Sequence, residues 1–342
     1  MALDTGTGRL SKFCLQEELT PKVIGSNPAS KVWFNRRRHS FQAIPSYVPT
    51  ARAADIDAPN MGLAVESYIG MCDIEVDMKQ FGWLLKAFFG SLSTAGSAAT
   101  GYTHTFTPGS SEKTFQVLED KGGFSSAYYR KYQGMFPNRI TLNTGMNDWL
   151  WASIGFIGLA DAAGTDPGTA APENFNKCAG FNQNTYYIGT VGATTIAGMT
   201  AWSDAYDMRC DLTRPDAVAD DFRSDGTGKS ASIFPGTFTA AVNLMSRFAS
   251  THKLTTFDAR TKVAFGVRVD TGNDIDGISS GSQNYQLDLI FPRCVIQSYS
   301  VDFQGTGQSV PVLAIIPEID PTAGYSTKAI LYNDLDTYAS PT

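Results

Sequence analysis

Two short motifs in the sequence have the spacing of catalytic or nucleotide-binding loops. Residues 277–281, Gly-Ile-Ser-Ser-Gly, fit the pattern in which a sharp strand-to-helix turn presents a nucleophilic serine. They stand in a polar loop without a buried strand before them or a helix after them. Residues 226–230, Gly-Thr-Gly-Lys-Ser, end like a phosphate-binding loop, but Arg223 occupies the position of its first glycine. We interpret both motifs as solvent-exposed loops.

Metal-ligating residues are few and widely spaced. The three histidines are His39, His104 and His252, and none has a partner histidine at metal-ligand spacing. Residues 274–277, Asp-Ile-Asp-Gly, resemble the middle of a calcium loop, but neither position 272 nor position 283 holds an acid. The five cysteines lie far apart, without a Cys-x-x-Cys pair, and are predicted to be reduced, buried thiols. The sequence therefore predicts no metal, no cofactor and no catalytic residue, which disfavours an enzyme.

One predicted strand carries a row of carboxylates. Residues 68–78 alternate apolar and polar side chains, which is typical of a half-buried strand. Its core-facing positions are Cys72, Ile74, Val76 and Met78. Asp73, Glu75 and Asp77 then project from the opposite face, because strand side chains alternate. Like charges in a row repel each other, so these three need water, cations or the arginines of residues 36–38 beside them.

Composition limits the class of protein that could position these residues. The chain has 342 residues, 42% of them hydrophobic and only 18% charged, with a formal net charge of −6. That apolar content is enough for a complete core, and the low charge suggests a surface largely covered by a partner or by further copies. The acidic balance argues against a protein that grips nucleic acid. We also expect no membrane helix, since no apolar run approaches about 20 residues, and no secretion signal, since residues 1–9 contain no apolar core.

Period-two alternation dominates the chain and predicts a mainly β fold. Predicted strands occupy residues 68–78, 114–119, 128–133, 139–144, 149–158, 200–212, 237–245, 261–270, 285–291, 294–304, 310–317 and 326–331. Many short strands between turn clusters indicate an antiparallel sandwich or barrel. One flanking helix is predicted over residues 79–90, with Gly90 at its end and with Trp83 and Phe89 largely covered.

A weak internal repeat suggests that the β fold is duplicated. Residues 136–142, Phe-Pro-Asn-Arg-Ile-Thr-Leu, resemble residues 291–297, Phe-Pro-Arg-Cys-Val-Ile-Gln, and each is preceded and followed by comparable strands. We predict a first β domain at residues 1–160 with an N-terminal arm, a linker at 161–199, and a second at 200–342 with a C-terminal arm. The arms and the loops at 160–184 and 215–232 are expected to contact neighbouring subunits.

The order of segments resembles a known family. The apolar helix of residues 81–91 is followed by Gly-Tyr-Thr-His-Thr-Phe-Thr-Pro at 101–108, a strand at 114–119 and Tyr-Tyr-Arg-Lys-Tyr-Gln-Gly at 128–134. Phe291-Pro292 and residues 320–326 then resemble the closing strands. This order is similar to that of the major tail tube proteins of long-tailed, siphovirus-type bacteriophages. The resemblance implies a β-sandwich or barrel whose copies form rings that stack into a tube conducting the genome.

The resemblance also implies partners and a location. A duplicated chain would form a ring of three and an unduplicated one a ring of six, with other tail proteins at the tube ends and DNA only transiently in the channel. The protein would be a virion component assembled in the host cytoplasm. The alternatives are another all-β virion component, such as a capsid decoration or tail-tip protein, and an all-β carbohydrate-active enzyme. We expect Asp73, Glu75 and Asp77 to face the channel, the alternatives being a solvated outer face or pairing with the arginines of residues 36–38.

Overall fold

A computed structural model describes residues 11–26, 29–50, 60–122, 128–145, 148–217, 219, 229–246, 256–278, 283–302 and 310–340. Within them α-helix α1 spans Phe81–Phe89, residues 256–258 are also α-helical, and short 3-10 turns span Phe175–Lys177, Phe181–Gln183 and Ile196–Gly198. The strands are β1 Lys12–Glu17, β2 Arg36–Thr50, β3 Asn60–Glu75, β4 Gly90–Ser97, β5 Gly101–Pro108, β6 Phe115–Asp120, β7 Tyr129–Asn143, β8 Trp151–Gly158, β9 Ala160–Ala163, β10 Asn184–Gly189, β11 Met199–Ala201, β12 Ala205–Thr213, β13 Thr239–Ser246, β14 Val263–Asp274, β15 Asn284–Asp302, β16 Val310–Pro317 and β17 Lys328–Asn333. The fold is mainly β, as the alternation predicts.

Eight of these strands form a continuous antiparallel sheet, which we call the main sheet. Its order is β2-β3-β8-β7-β12-β13-β16-β15, and every neighbouring pair is antiparallel. The pairing of β7 with β12, from Arg139 opposite Thr213 to Asn143 opposite Arg209, joins four strands from the first half of the chain to four from the second. Strands β2 and β15 are the two edges of this sheet among the described residues.

Two long strands bend out of the main sheet and connect it to smaller sheets. The first part of β7 pairs with β6 and β9, so that β1-β6-β7-β9 form one side sheet. Gly134 at φ 64° and a register shift between Pro137 and Arg139 mark the bend. The first part of β15 likewise pairs with β14 and β17, in a sheet ordered β11-β10-β14-β15-β17-β5-β4. Sequence periodicity splits each of these bent strands into two predicted strands, because the pattern changes phase at the bend.

The helix packs in the core on one face of the main sheet. All nine of its residues are buried, including Trp83 and Phe89, and Gly90 ends it at φ 82° while donating its N–H to the Lys86 carbonyl. The predicted helix and its coverage are therefore confirmed. One large apolar cluster contains α1 and strands from both halves of the chain. No helix in the described ranges is long and apolar enough to cross a membrane.

The predicted linker is folded against the rest of the chain. The Leu150 N–H donates to Ala179 and the Met78 N–H donates to Lys177, so residues 177–179 lie beside the ends of β3 and β8. Lys12 and Lys31 hold the carbonyls of Gly168 and Pro167 at 2.7 and 2.8 Å. The domain boundaries at residues 160 and 200 stay a prediction. Of the predicted contact segments, residues 1–10, 27–28, 218 and 220–228 lie outside the described residues.

Candidate functional site

The face of the main sheet opposite α1 is the candidate functional surface, and we call it the open face. The strands alternate buried and accessible side chains: Ala152, Ile154 and Phe156 of β8 face the core, and Trp151, Ser153 and Gly155 the open face. Across β3, β8, β7 and β12 the open face carries a depression of about 440 Å³ whose lining includes Met71, Trp151 and Arg209.

Arginines from β2 neutralise the carboxylates of β3. The Arg37 Nε donates to Glu75 Oε1 at 2.8 Å, and its Nη1 donates to Asp148 Oδ2 at 2.9 Å. These bonds hold the pKa of Asp148 below its ordinary value and that of Arg37 above it. The Arg38 Nε donates to Asp73, which is buried beneath it. Asp73 and Glu75 thus adopt the arginine pairing that the sequence left open.

Asp77 is separated from the other two predicted site residues. Strand β3 ends at Glu75, and the Asp77 side chain turns into the protein, where its Oδ1 accepts the backbone N–H groups of Lys79 and Gln80 before α1. Asp77 is fully buried, and burial raises the pKa of its carboxyl to about 7 despite those hydrogen bonds. The three carboxylates therefore do not form one exposed row within the chain. The placement of these three residues on a channel wall stays a prediction.

A second charged cluster bridges the two halves of the main sheet. Asp211 of β12 accepts hydrogen bonds from Arg209, Arg139 and the Thr141 hydroxyl at 2.9, 2.8 and 2.6 Å. Burial alone would raise the pKa of Asp211, but these donors hold it at about 2. The sequence analysis missed this cluster because Arg139 and Thr141 precede Asp211 by 72 and 70 residues. An alternating charge pattern in residues 209–211 was its one local signal.

Most charges on the open face are paired, and they are unevenly distributed. Around β3, β7 and β12, the four arginines 37, 38, 139 and 209 face the four carboxylates of residues 73, 75, 148 and 211. Strands β13 and β16 alternate their buried apolar residues with accessible positions such as Asn243 and Ala314, none of them charged where their side chains are described. The open face thus has a charged half and a neutral half.

The two described histidines contact neighbouring side chains, and parts of the loop motifs lie outside the described residues. His104 is buried in β5 between Thr94 and Asn333, and His39 lies against Glu119 at 3.1 Å. His252 and residues 220–228 and 279–282 of the two loop motifs lie outside the described residues. Across the described ranges, no group of three or more His, Cys, Asp or Glu residues could hold a metal ion.

Arg214 is a buried cation that the sequence analysis did not single out. Its guanidinium donates to the carbonyls of Phe88 and Phe89 at the end of α1, at 2.8 and 3.1 Å, and to Gly109 and Gly236 at 3.1 Å. A cation at a helix C-terminus satisfies unpaired carbonyls and the helix dipole. Arg214 follows β12 directly, so it ties the second half of the chain to the helix of the first.

Comparison with known proteins agrees with this architecture. No curated protein matches the sequence at a significant level. The family model described as phage tail tube protein matches residues 70–327, which include α1, most of the main sheet and the junction between its halves. The chain is thus a structural component of a phage tail and belongs to the phage tail tube protein family.

Proposed function

We propose that this chain polymerises as stacked rings into the phage tail tube and that the tube forms the channel for genome delivery into the host. Assembly takes place in the host cytoplasm, other tail proteins bind the tube ends, and DNA occupies the channel only during passage. The protein has no catalytic role in this proposal. The observation that carries it is the eight-stranded main sheet, which is covered by the core on one face. Within the described residues, the outer edge of β2 and the outer edge of β15 after Cys294 pair with no further named strand.

The two edges of the main sheet are complementary. In a sheet of eight antiparallel strands the first and last strands run in opposite directions, so β15 of one copy can pair with β2 of the next in an antiparallel register. Unpaired edges are ready-made templates for such pairing. Repetition of this heterologous contact around an axis closes a ring. The open face would then be the inner wall.

Strand order supports a ring of three duplicated chains. The first four strands of the main sheet, β2-β3-β8-β7, match the last four, β12-β13-β16-β15, in order, direction and chain connection. The repeated Phe-Pro pairs at residues 136–137 and 291–292 both lie at the bend of the long strand. The junction of β7 with β12 is then the internal counterpart of the junction between subunits. A ring of six is the alternative.

The channel wall in this proposal is charged but compensated. Asp73 and Glu75 lie on the open face with their arginines, which supports their placement on the inner wall. Asp77 lies at the end of the same strand but inside the chain, so the proposal for Asp77 requires it to be uncovered in the ring. A wall without excess positive charge gives DNA no counterion-release gain that would hold it.

Negative-stain electron microscopy of concentrated purified protein tests polymerisation. We expect tubes or rings, and native mass spectrometry of dissociating tubes should give species of three chains. Strictly monomeric protein under all conditions, together with virions whose tail tubes lack this chain, would overturn the proposed function. Rings of six chains would leave the tube intact but reject the duplication.

A further inference from the structure

The depression on the open face contains the donors that recognise a phosphate group. The register places two short polar residues, Thr141 of β7 and Ser153 of β8, at the centre of its lining, because they lie opposite each other. Arg139 and Asn143 flank Thr141 on the same face of β7. Arg209 of β12 lies opposite Asn143, so the arginines lie one on each side of the central pair along the strands. We propose that this depression binds a phosphate group through Arg139, Arg209 and Asn143.

Two cations at the depression share a single carboxylate. The Nη2 atoms of Arg139 and Arg209 both donate to Oδ1 of Asp211, at 2.8 and 3.3 Å, so the two guanidinium groups lie side by side. In the part of the chain that the structure describes, neither arginine has a second carboxylate partner, and neither Nη1 atom donates a hydrogen bond. Arg37 on the same face differs, since two carboxylates bind it. The depression therefore keeps one surplus positive charge and N–H groups that match the oxygens of a phosphate.

Asn143 adds a buried donor to the lining of the depression. Its amide Nδ2 is buried and forms no hydrogen bond with any described group. Buried donors in proteins are nearly always paired, so this one requires an acceptor that the described residues do not supply. The half-buried Ser153 on the neighbouring strand can also donate its hydroxyl hydrogen. An oxygen of an anion bound in the depression would satisfy the Asn143 amide.

A phosphate group fits this donor set better than a carboxylate does. Its oxygens are arranged tetrahedrally and accept hydrogen bonds from several directions at once, whereas the two oxygens of a carboxylate lie in one plane. Inorganic phosphate and the DNA backbone both carry this group. The contact should be weak, because Asp211 lies beside the site and leaves one surplus charge, so it would not hold DNA in place. The site itself does not depend on the proposed function, whereas its encounter with DNA does.

Phosphorus NMR of inorganic phosphate titrated with the full chain tests the site. We expect saturable binding by the parent protein, at least tenfold weaker binding by Arg139→Gln and Arg209→Gln, and at least threefold tighter binding by Asp211→Asn. Both arginines are half-exposed, so their variants should keep the parent's unfolding temperature. Arg293→Gln is the matched control and should bind like the parent, because Arg293 also shares a carboxylate with a second cation but does not line the depression. Parent-like affinity in both arginine variants, or no saturable binding of either phosphate or DNA by the parent, would overturn the inference.

A short DNA duplex with a fluorescent label separates the two sources of phosphate. Its binding is followed by fluorescence anisotropy at low salt, where phosphate contacts are strongest. Duplex binding that weakens in Arg139→Gln and Arg209→Gln but not in Arg293→Gln supports the inference with the DNA backbone as the ligand. Binding of inorganic phosphate without the duplex supports it with the free anion as the ligand, and duplex binding that is equal in all variants, without phosphate binding, would contradict it. Electron microscopy of the parent protein tests the proposed function separately, since tubes can form whether or not the depression binds phosphate.

Discussion

At the scale of single residues, the carboxylates of this chain differ in what surrounds them rather than in sequence pattern. Glu75 and Asp73 are paired with arginines, whereas Asp77, two residues further on, is buried with one oxygen on backbone N–H groups and the other without a partner among the described atoms. Strand alternation predicts that all three share a face. The prediction fails for Asp77 because the chain leaves the strand at Glu75. The Asp77 carboxylate instead accepts the N–H groups of Lys79 and Gln80 in the turn before the helix.

Replacing Asp77 with asparagine should remove a pH dependence of stability. The carboxyl titrates near 3.8 when unfolded and at about 7 when folded, so folding favours its protonated form. The free energy of unfolding therefore includes the full contribution of protonated Asp77 below pH 3.8. It falls by up to about 4 kcal/mol as the pH rises from 3.8 to 7. Asp77→Asn keeps an oxygen acceptor and never ionises. Urea unfolding at pH 5 and pH 8 should show a smaller difference between the two pH values than the parent protein shows.

Asp166→Asn is the control for this measurement. Asp166 is exposed, and the Gly168 N–H and Lys12 hold its pKa below the ordinary value, so it stays ionised throughout that pH range. Its replacement should leave the difference between pH 5 and pH 8 unchanged. A parent-like pH dependence in Asp77→Asn would show that another group is responsible.

At the scale of secondary-structure elements, the sequence pattern predicts the buried helix and strands but not how the edge strands pair. The helix and the central strands β3, β8, β12, β13 and β16 follow from their apolar alternation, since one face of each is fully covered. Strand β2 escaped prediction because it is an edge strand rich in arginine and serine, with little contrast between its faces. The order of strands in the main sheet depends on contacts between distant segments, which local periodicity does not encode.

The end of α1 depends on a residue more than 120 positions away. Arg214 is buried and donates to four backbone carbonyls, so Arg214→Met would leave these acceptors without partners. We expect a loss of about 3–5 kcal/mol in the free energy of unfolding, measured by urea denaturation. Arg209→Met is the matched control: its half-exposed guanidinium pairs with Asp211, and its loss should cost about 1 kcal/mol or less. Equal costs for both variants would contradict the capping role of Arg214.

At the scale of the whole molecule, the account rests on a wall whose arginines are neutralised. Glu75→Gln and Asp211→Asn each uncover arginine charge on the open face without removing a core side chain. If this face lines the channel, tubes still form but genome ejection slows, most strongly at low salt where attraction to DNA is least screened. The measurement is the rate of genome ejection from virions carrying each variant, at about 10 mM and at about 200 mM salt.

Asp166→Asn again provides the comparison, because it also uncovers a cation, Lys12, which lies in strand β1 of the side sheet and not in the main sheet. Virions with this substitution should eject at the parent rate at both salt concentrations. Unchanged kinetics in Glu75→Gln and Asp211→Asn virions would place the open face elsewhere than in the channel.

The most direct test of the central claim is a cryo-electron-microscopy map of the assembled tube at side-chain detail. The account predicts three chains per ring, a continuous inner barrel in which β15 of each chain pairs with β2 of the next, and the open face turned toward the axis. A ring of six chains, or an inner wall built from the faces now packed against α1, would contradict it.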